Sequence, residues 1–185
     1  MKPTRVSFVG GDAGEWRVER IIRVRGEPLP DCLRMSRIEG EFIHRDAAWI
    51  LHGVRTHERY TERAEHDRLA AVQADLGRSD SACAVLIPIS KSEAWWALSQ
   101  DERRAILEAR SGHVATGLRY LPAVARRLYH GRELGGDFDF LTWFEFSPTD
   151  AAAFDELTAT LRATEEWRHV VREVEIRLRR DGAAD

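Results

Sequence analysis

The chain has 185 residues, enough for one substantial core or two small fused halves. Charged residues make up 32% and the net charge is −3 with the signs interspersed, so no basic stripe points to nucleic acid. No apolar run approaches the length of a membrane span. The start, MKPTRVSFVGGDAGEW, lacks the apolar core of a signal peptide, so a cytoplasmic location is expected.

In chain order, RVSFVGG and WRVERIIRVRG read as strands, as does AAWILHGVRTH. The last carries His52 and His57, five residues apart and so on opposite faces. ERYTERAEHDRLAAVQADLG reads as a helix that feeds SACAVLIPIS, a short apolar run at 81–90 typical of a buried strand. Residues 91–121, KSEAWWALSQDERRAILEARSGHVATGLRYL, have helical composition and predict two helices broken near Ser99, Gln100 and Asp101. Ser99 is an N-cap candidate with Glu102 at the capping-box spacing. Pro122 ends the stretch, because a residue before proline avoids the helical region.

LPAVARRLYHG then reads as a strand with an unusual pattern. Val124, Arg126 and Leu128 share one face, and Ala125, Arg127 and Tyr129 the other, so each face mixes an arginine with apolar neighbours. DFDFLTWFEFS alternates, with Phe138, Phe140, Thr142, Phe144 and Phe146 opposite Asp139, Leu141, Trp143 and Glu145. PTDAAAFDELTATLRATEEWRHV predicts a helix capped by Thr149 or Asp150. VREVEIRLRR closes as a strand, and the last five residues are expected to fray.

The order in the second half is β-α-β-β-α-β, a ferredoxin-like arrangement, and the first half repeats it less cleanly. The expectation is an α+β fold in a single domain over 1–185. A degenerate ferredoxin-like half at 1–80 and a second at 81–180 could close into a barrel-like core.

Cys32 and Cys83 are the two cysteines; both read as packing residues, and the absence of a CxxC pair excludes a thiolate zinc site. The seven histidines, His44, His52, His57, His66, His113, His130 and His169, contain no HExxH pair. His113 stands out because Gly112, Val114 and Ala115 leave space beside its imidazole late in a helical stretch. Arg126, if buried, needs an anionic partner, whether a carboxylate or a ligand in a cavity. Glu165 and Glu166 precede Trp167 near a helix end, and Lys91 precedes the Trp95–Trp96 pair. Each of these, alone, also fits an ordinary structural role.

Together, LIPISKSEAWWALS, SGHVATGLRYLPAVARRLYHGREL, DFDFLTWFEF and AFDELTATLRATEEWRHV resemble the chlorite dismutase family of haem proteins, over residues 85–178. The resemblance implies a dimeric α+β barrel of the short branch of that family, binding haem b. His113 would be the axial iron ligand, and Arg126, thirteen residues on, would lie over the opposite haem face. Glu166, or less directly Glu165, would accept a hydrogen bond from the other nitrogen of His113. Lys91 would join that network and Trp95 would stand beside the haem edge. The implied reaction converts chlorite, a small anion, to chloride and dioxygen in a homodimer without nucleic-acid or membrane partners. Two related readings are a coproheme decarboxylase-like enzyme of haem synthesis and a non-catalytic haem-binding or haem-sensing protein. Arginine at 126 argues against the first, and retention of both His113 and Arg126 against the second.

Overall fold

Eight antiparallel strands form the frame of a computed structural model that describes residues 4–40, 46–55 and 60–181. In chain order these are β1 (Arg5–Gly11), β2 (Trp16–Arg25), β3 (Arg34–Glu39), β4 (Trp49–Val54), β5 (Cys83–Lys91), β6 (Ala125–His130), β7 (Phe140–Phe146) and β8 (Val170–Arg180). The helices are α1 (Arg63–Val72), α2 (Glu93–Ala97), α3 (Gln100–Arg104), α4 (His113–Leu118) and α5 (Ala151–Arg162). His44, His57 and residues 182–185 of the expected frayed end lie outside the described residues.

The strands close into a barrel in the order β1-β3-β2-β8-β5-β7-β6-β4. Read within each half, β4-β1-β3-β2 and β8-β5-β7-β6 follow the same ferredoxin-like order. The halves join where β2 pairs β8 over a long register and where β4 touches β6 at Val54 and His130. Closure leaves no sheet edge open to pair with another chain.

The alternation of apolar residues explains the layers. On β5, Ala84 and Leu86 point into the barrel with Leu141 and Trp143 of β7, Ile176 of β8 and Phe8 of β1. Val85, Ile87 and Ile89 point outward with Phe140, Phe144 and Phe146, where Phe154 and Leu157 of α5 cover them. The predicted two-faced pattern of β7 holds, except that Phe138 precedes the strand and packs in the barrel core. Cys32 and Cys83 are free thiols packed at the margins of these two clusters. Among the described residues no helix is long and apolar enough to cross a membrane.

The structure departs from the sequence reading at three places. Strand β3, RMSRIE, gives no clear sequence signal, because only Met35 of its inward positions is apolar; Arg37 and Glu39 face the barrel mouth opposite Phe8 and Val6. The stretch 91–121 is not two helices. Lys91 ends β5, and α2, α3, a wide π-type turn at Ala105–Arg110 and α4 follow as separate pieces. The capping box of Ser99 and Glu102 does form at the start of α3. The helix from 148 stops at Arg162, and Glu166–His169 is a separate 3-10 turn leading into β8. Asp150, one of the two expected caps, does hold the N-cap position of α5, though its side chain makes no capping bond; Pro148 opens a 3-10 turn ahead of it, and the Ser147 side chain accepts from the Thr149 amide.

Candidate functional site

Local chain geometry first brings His113 to the outer face of the second sheet. Gly112 sits at φ 59°, in the left-handed region that favours glycine, and ends the π-type turn there. His113 is therefore the first residue of α4, rather than late in a long helix. The Glu108 carboxylate holds this start by accepting from the Val114 and Ala115 amides at 2.7 and 3.2 Å. Ser111 joins it to the 3-10 turn by accepting from the Glu166 amide at 3.0 Å.

That clasp places Glu166 behind the imidazole. His113 Nδ1 lies 2.6 Å from Glu166 Oε2, and Lys91 Nζ donates to Glu166 Oε1 at 2.8 Å. The side chains of Lys91 and Glu166 are 2% and 4% exposed, so this is a desolvated charge relay. Burial alone would push the Glu166 carboxyl up. The adjacent His113 and Lys91 outweigh it and hold the group at about 2, below its ordinary 4.5. Lys91 is thus no surface lysine: its ammonium lies 4.5 Å from the Trp95 ring centre and 5.5 Å from that of Trp167. Glu165 points elsewhere, to an ion pair with Arg110 at 2.8 Å. This geometry favours Glu166 over Glu165 as the partner of His113.

Trp167 was not singled out from sequence, yet its ring stacks on His113 at 6.5 Å and 18°. Its indole N–H donates to Glu173 at 2.7 Å, and Glu173 is held in turn by Arg162 of α5. The alternating charges of β8 carried this signal. Glu173 and Glu175 are not solvated but 1% exposed beneath α5.

Opposite this group, β6 sends Arg126 and Arg127 to different sides. Arg126 pairs with Phe144 across the sheet, with Leu128 opposite Thr142. Arg126, Val124 and Leu128 line the same cleft as His113, Glu166, Lys91 and Trp95. Arg127 faces the barrel mouth and donates to the backbone oxygens of Ala74 and Arg126. The space in the cleft not filled by atoms, its open mouth included, is about 1320 Å³. Its walls are mainly apolar, with Ile87, Ile89, Phe140 and Phe144 among them.

Other histidines have ordinary surroundings. His52 meets Ser7 Oγ at 2.9 Å, and His66 lies on the exposed side of α1 near Asp67. His130 is buried edge-on to Phe140, and the His169 ring lies beside Trp95. Among the described residues no cluster of three or more His, Cys, Asp or Glu could hold a metal by itself. The residues do fit a haem. An imidazole with Nδ1 engaged keeps Nε2 for iron. The apolar walls suit a macrocycle, and the buried Trp95 Nε1–H, which has no partner among the described residues, could donate to a propionate.

Comparison with known proteins agrees with this layout. The family model for chlorite dismutase matches residues 30–180. A chlorite dismutase of Ideonella dechloratans is 36% identical over 89 residues, 48% of this chain and 29% of that protein. The chain therefore spans under a third of the length of that relative. A dimeric chlorite dismutase from Nitrobacter winogradskyi is 50% identical, with a TM-score of 0.89 over 95% of this chain and 99% of that one. A chlorite dismutase from Candidatus Nitrospira defluvii, solved in complex with imidazole, shares the fold at 20% identity. Its TM-score is 0.68 over 96% of this chain and 92% of that one.

Proposed function

The chain belongs to the chlorite dismutase family, and from that premise we propose that it is a haem b-dependent enzyme converting chlorite to chloride and dioxygen. The observation that carries the reading is one cleft lined by both a buried Lys91–Glu166–His113 relay and the strand arginine Arg126. We further infer a single domain of two ferredoxin-like halves, 1–80 and 81–180, working as a homodimer like its dimeric relative.

The relay acts on His113. With Glu166 ionised, its carboxylate accepts the Nδ1 proton, which fixes the imidazole tautomer and leaves Nε2 as the nitrogen that would hold the haem iron. The hydrogen bond gives the ring partial imidazolate character and makes it a stronger donor. Lys91 anchors the second carboxylate oxygen, so Glu166 cannot swing away. Trp167 lies nearly parallel to the imidazole, with ring centres 6.5 Å apart. Bound haem would supply the redox chemistry that cleaves the chlorine–oxygen bonds.

Arg126 acts on the substrate. In an apolar-walled cleft its guanidinium attracts the chlorite anion and offers a planar fork to two oxygens. The same cation stabilises negative charge that develops on the departing oxychlorine fragment and keeps that fragment in the cleft. The test is direct: reconstitute the protein with haem, record its absorption spectrum, and follow oxygen at an electrode after adding chlorite. Brown protein that evolves oxygen supports the proposal. A haem-loaded protein that evolves none removes the chlorite chemistry.

A further inference from the structure

At one mouth of the barrel, where β1, β3, β4 and β6 meet, the inward positions change from apolar to cationic. Arg37 of β3, Arg55 just past β4, and Arg127 of β6 line one recess with Thr4, Tyr129 and one carboxylate, Glu39. This recess lies across β6 from the cleft, and Arg127 is the neighbour of Arg126 in sequence but not in facing. The family reading gives it no role.

Two observations point to an anionic occupant. First, the donors outnumber the acceptors. Arg37 makes a close ion pair with Glu39 at 2.5 Å. Arg127, with its side chain 13% exposed, has as its nearest carboxylate a fully exposed Asp75 at 3.7 Å. Arg55 is exposed at the rim of the recess. Burial, together with the charges of Arg55 and Arg37, holds the Arg127 guanidinium below its ordinary value. Second, Tyr129 is 1% exposed, and its hydroxyl accepts two N–H groups of Arg37, at 3.3 and 2.8 Å. That hydroxyl and the Arg37 guanidinium stand together at the wall of the recess. Three guanidiniums that line one recess with a single close carboxylate among them suit an oxygen-rich anion.

We propose that this recess is a second anion site, which binds a small oxyanion of phosphate or sulfate geometry through Arg55, Arg127, Arg37 and the Tyr129 hydroxyl. Tetrahedral oxyanions present three or four acceptor oxygens, enough to meet guanidinium forks and one O–H together. Halide ions lack the spread of acceptors to do so. The inference is independent of the chemistry assigned to the cleft, since no residue is shared between the two.

The experiment is calorimetric titration of inorganic phosphate into the haem-loaded protein at constant ionic strength set with chloride. The wild type is expected to show one saturable site. Arg55→Ala, at an exposed position outside the core, should weaken it roughly tenfold or more, as loss of a charged hydrogen-bonding partner does. Tyr129→Phe, which keeps the ring packing, should weaken it by a smaller factor. Arg126→Ala should bind phosphate like the wild type. The proposal is overturned by an absence of saturable binding in the wild type, or by wild-type binding in Arg55→Ala. Loss of binding in Arg126→Ala, with Arg55→Ala unaffected, also overturns it, because the phosphate would then sit in the cleft.

Discussion

His113 Nδ1 and Glu166 Oε2 stand 2.6 Å apart, joining the first residue of α4 to the first residue of the 3-10 turn before β8. Fifty-three positions separate the two in sequence, and the Ser111–Glu166 backbone clasp sets the approach. An exposed pair at that distance would contribute little, but this carboxylate is buried and fixed at its far oxygen by Lys91.

Replacing Glu166 by Gln tests the relay. The amide keeps the shape but loses the charge, so the imidazole becomes a weaker donor. The haem reduction potential should move upward. Haem affinity or turnover should fall about 10- to 100-fold, the usual loss when a ligand's supporting acceptor is removed. Glu165→Gln should leave the potential in place, because Glu165 pairs with Arg110 instead. Spectroelectrochemical titration of the two variants decides it; a shift in the Glu165 variant alone would reverse the assignment.

Acid stability should follow the same carboxylate. Its folded value of about 2 lies below the ordinary 4.5, so the unfolded chain takes up its proton first as pH falls. The stabilisation is fully present above pH 4.5 and is lost as pH drops toward 2. The shift corresponds to stability on the order of 3 kcal/mol. Denaturant unfolding of the haem-free wild type and Glu166→Gln should give a gap that is constant from neutral pH to mildly acidic pH and narrows below 4.5. A gap unchanged at the acid end would show that Glu166 titrates normally.

Gly112 carries a different kind of constraint. A Cβ added there meets nothing within 4 Å, so space is not the reason for glycine; φ of +59° is. Gly112→Ala should cost about 1 kcal/mol for a left-handed non-glycine residue. The strain falls one residue before His113, so it should also broaden the haem absorption band or weaken haem retention. Thermal unfolding and haem-transfer rates measure the two effects separately. A variant as stable as the wild type would mean the turn relaxes to another conformation.

The sequence made some of this plain and hid the rest for physical reasons. Strands β5 and β7 are legible as dense apolar runs because each is covered on both faces, one in the barrel and one under α5. Strand β3 is not, because its inward positions at the barrel mouth are Arg37 and Glu39. Lys91 and Glu166 carry no sign of burial in their own neighbourhoods. They are buried because each neutralises the other, and that pairing depends on contacts 75 positions apart. Trp167 was hidden similarly: its stacking on His113 requires the helix to stop at Arg162 and a short turn to follow. The division of Arg126 and Arg127 between faces, by contrast, follows from strand parity alone.

Arg126 is where that parity meets chemistry. Its strand neighbours Val124 and Leu128 line the cleft beside it, so its charge is presented from an apolar wall rather than from bulk solvent. A cation preorganised in such a wall acts on an anionic substrate without having to reorganise water. Arg126→Ala should fold and keep its haem, because His113, Glu166 and Lys91 stand on other elements. Chlorite binding should weaken, and oxygen evolution should slow by on the order of 10²–10³-fold, the common loss for one preorganised charge or donor. Hypochlorite should leak into solution, since the oxychlorine fragment is no longer held, and the haem should bleach after fewer turnovers. Arg126→Lys should recover only part of the rate, because an ammonium has no planar fork for two oxygens. Stopped-flow and oxygen-electrode kinetics with a hypochlorite trap distinguish these outcomes. Undiminished oxygen evolution in Arg126→Ala, with no hypochlorite trapped, would leave Arg126 a structural residue and return the search to the other polar groups of the cleft.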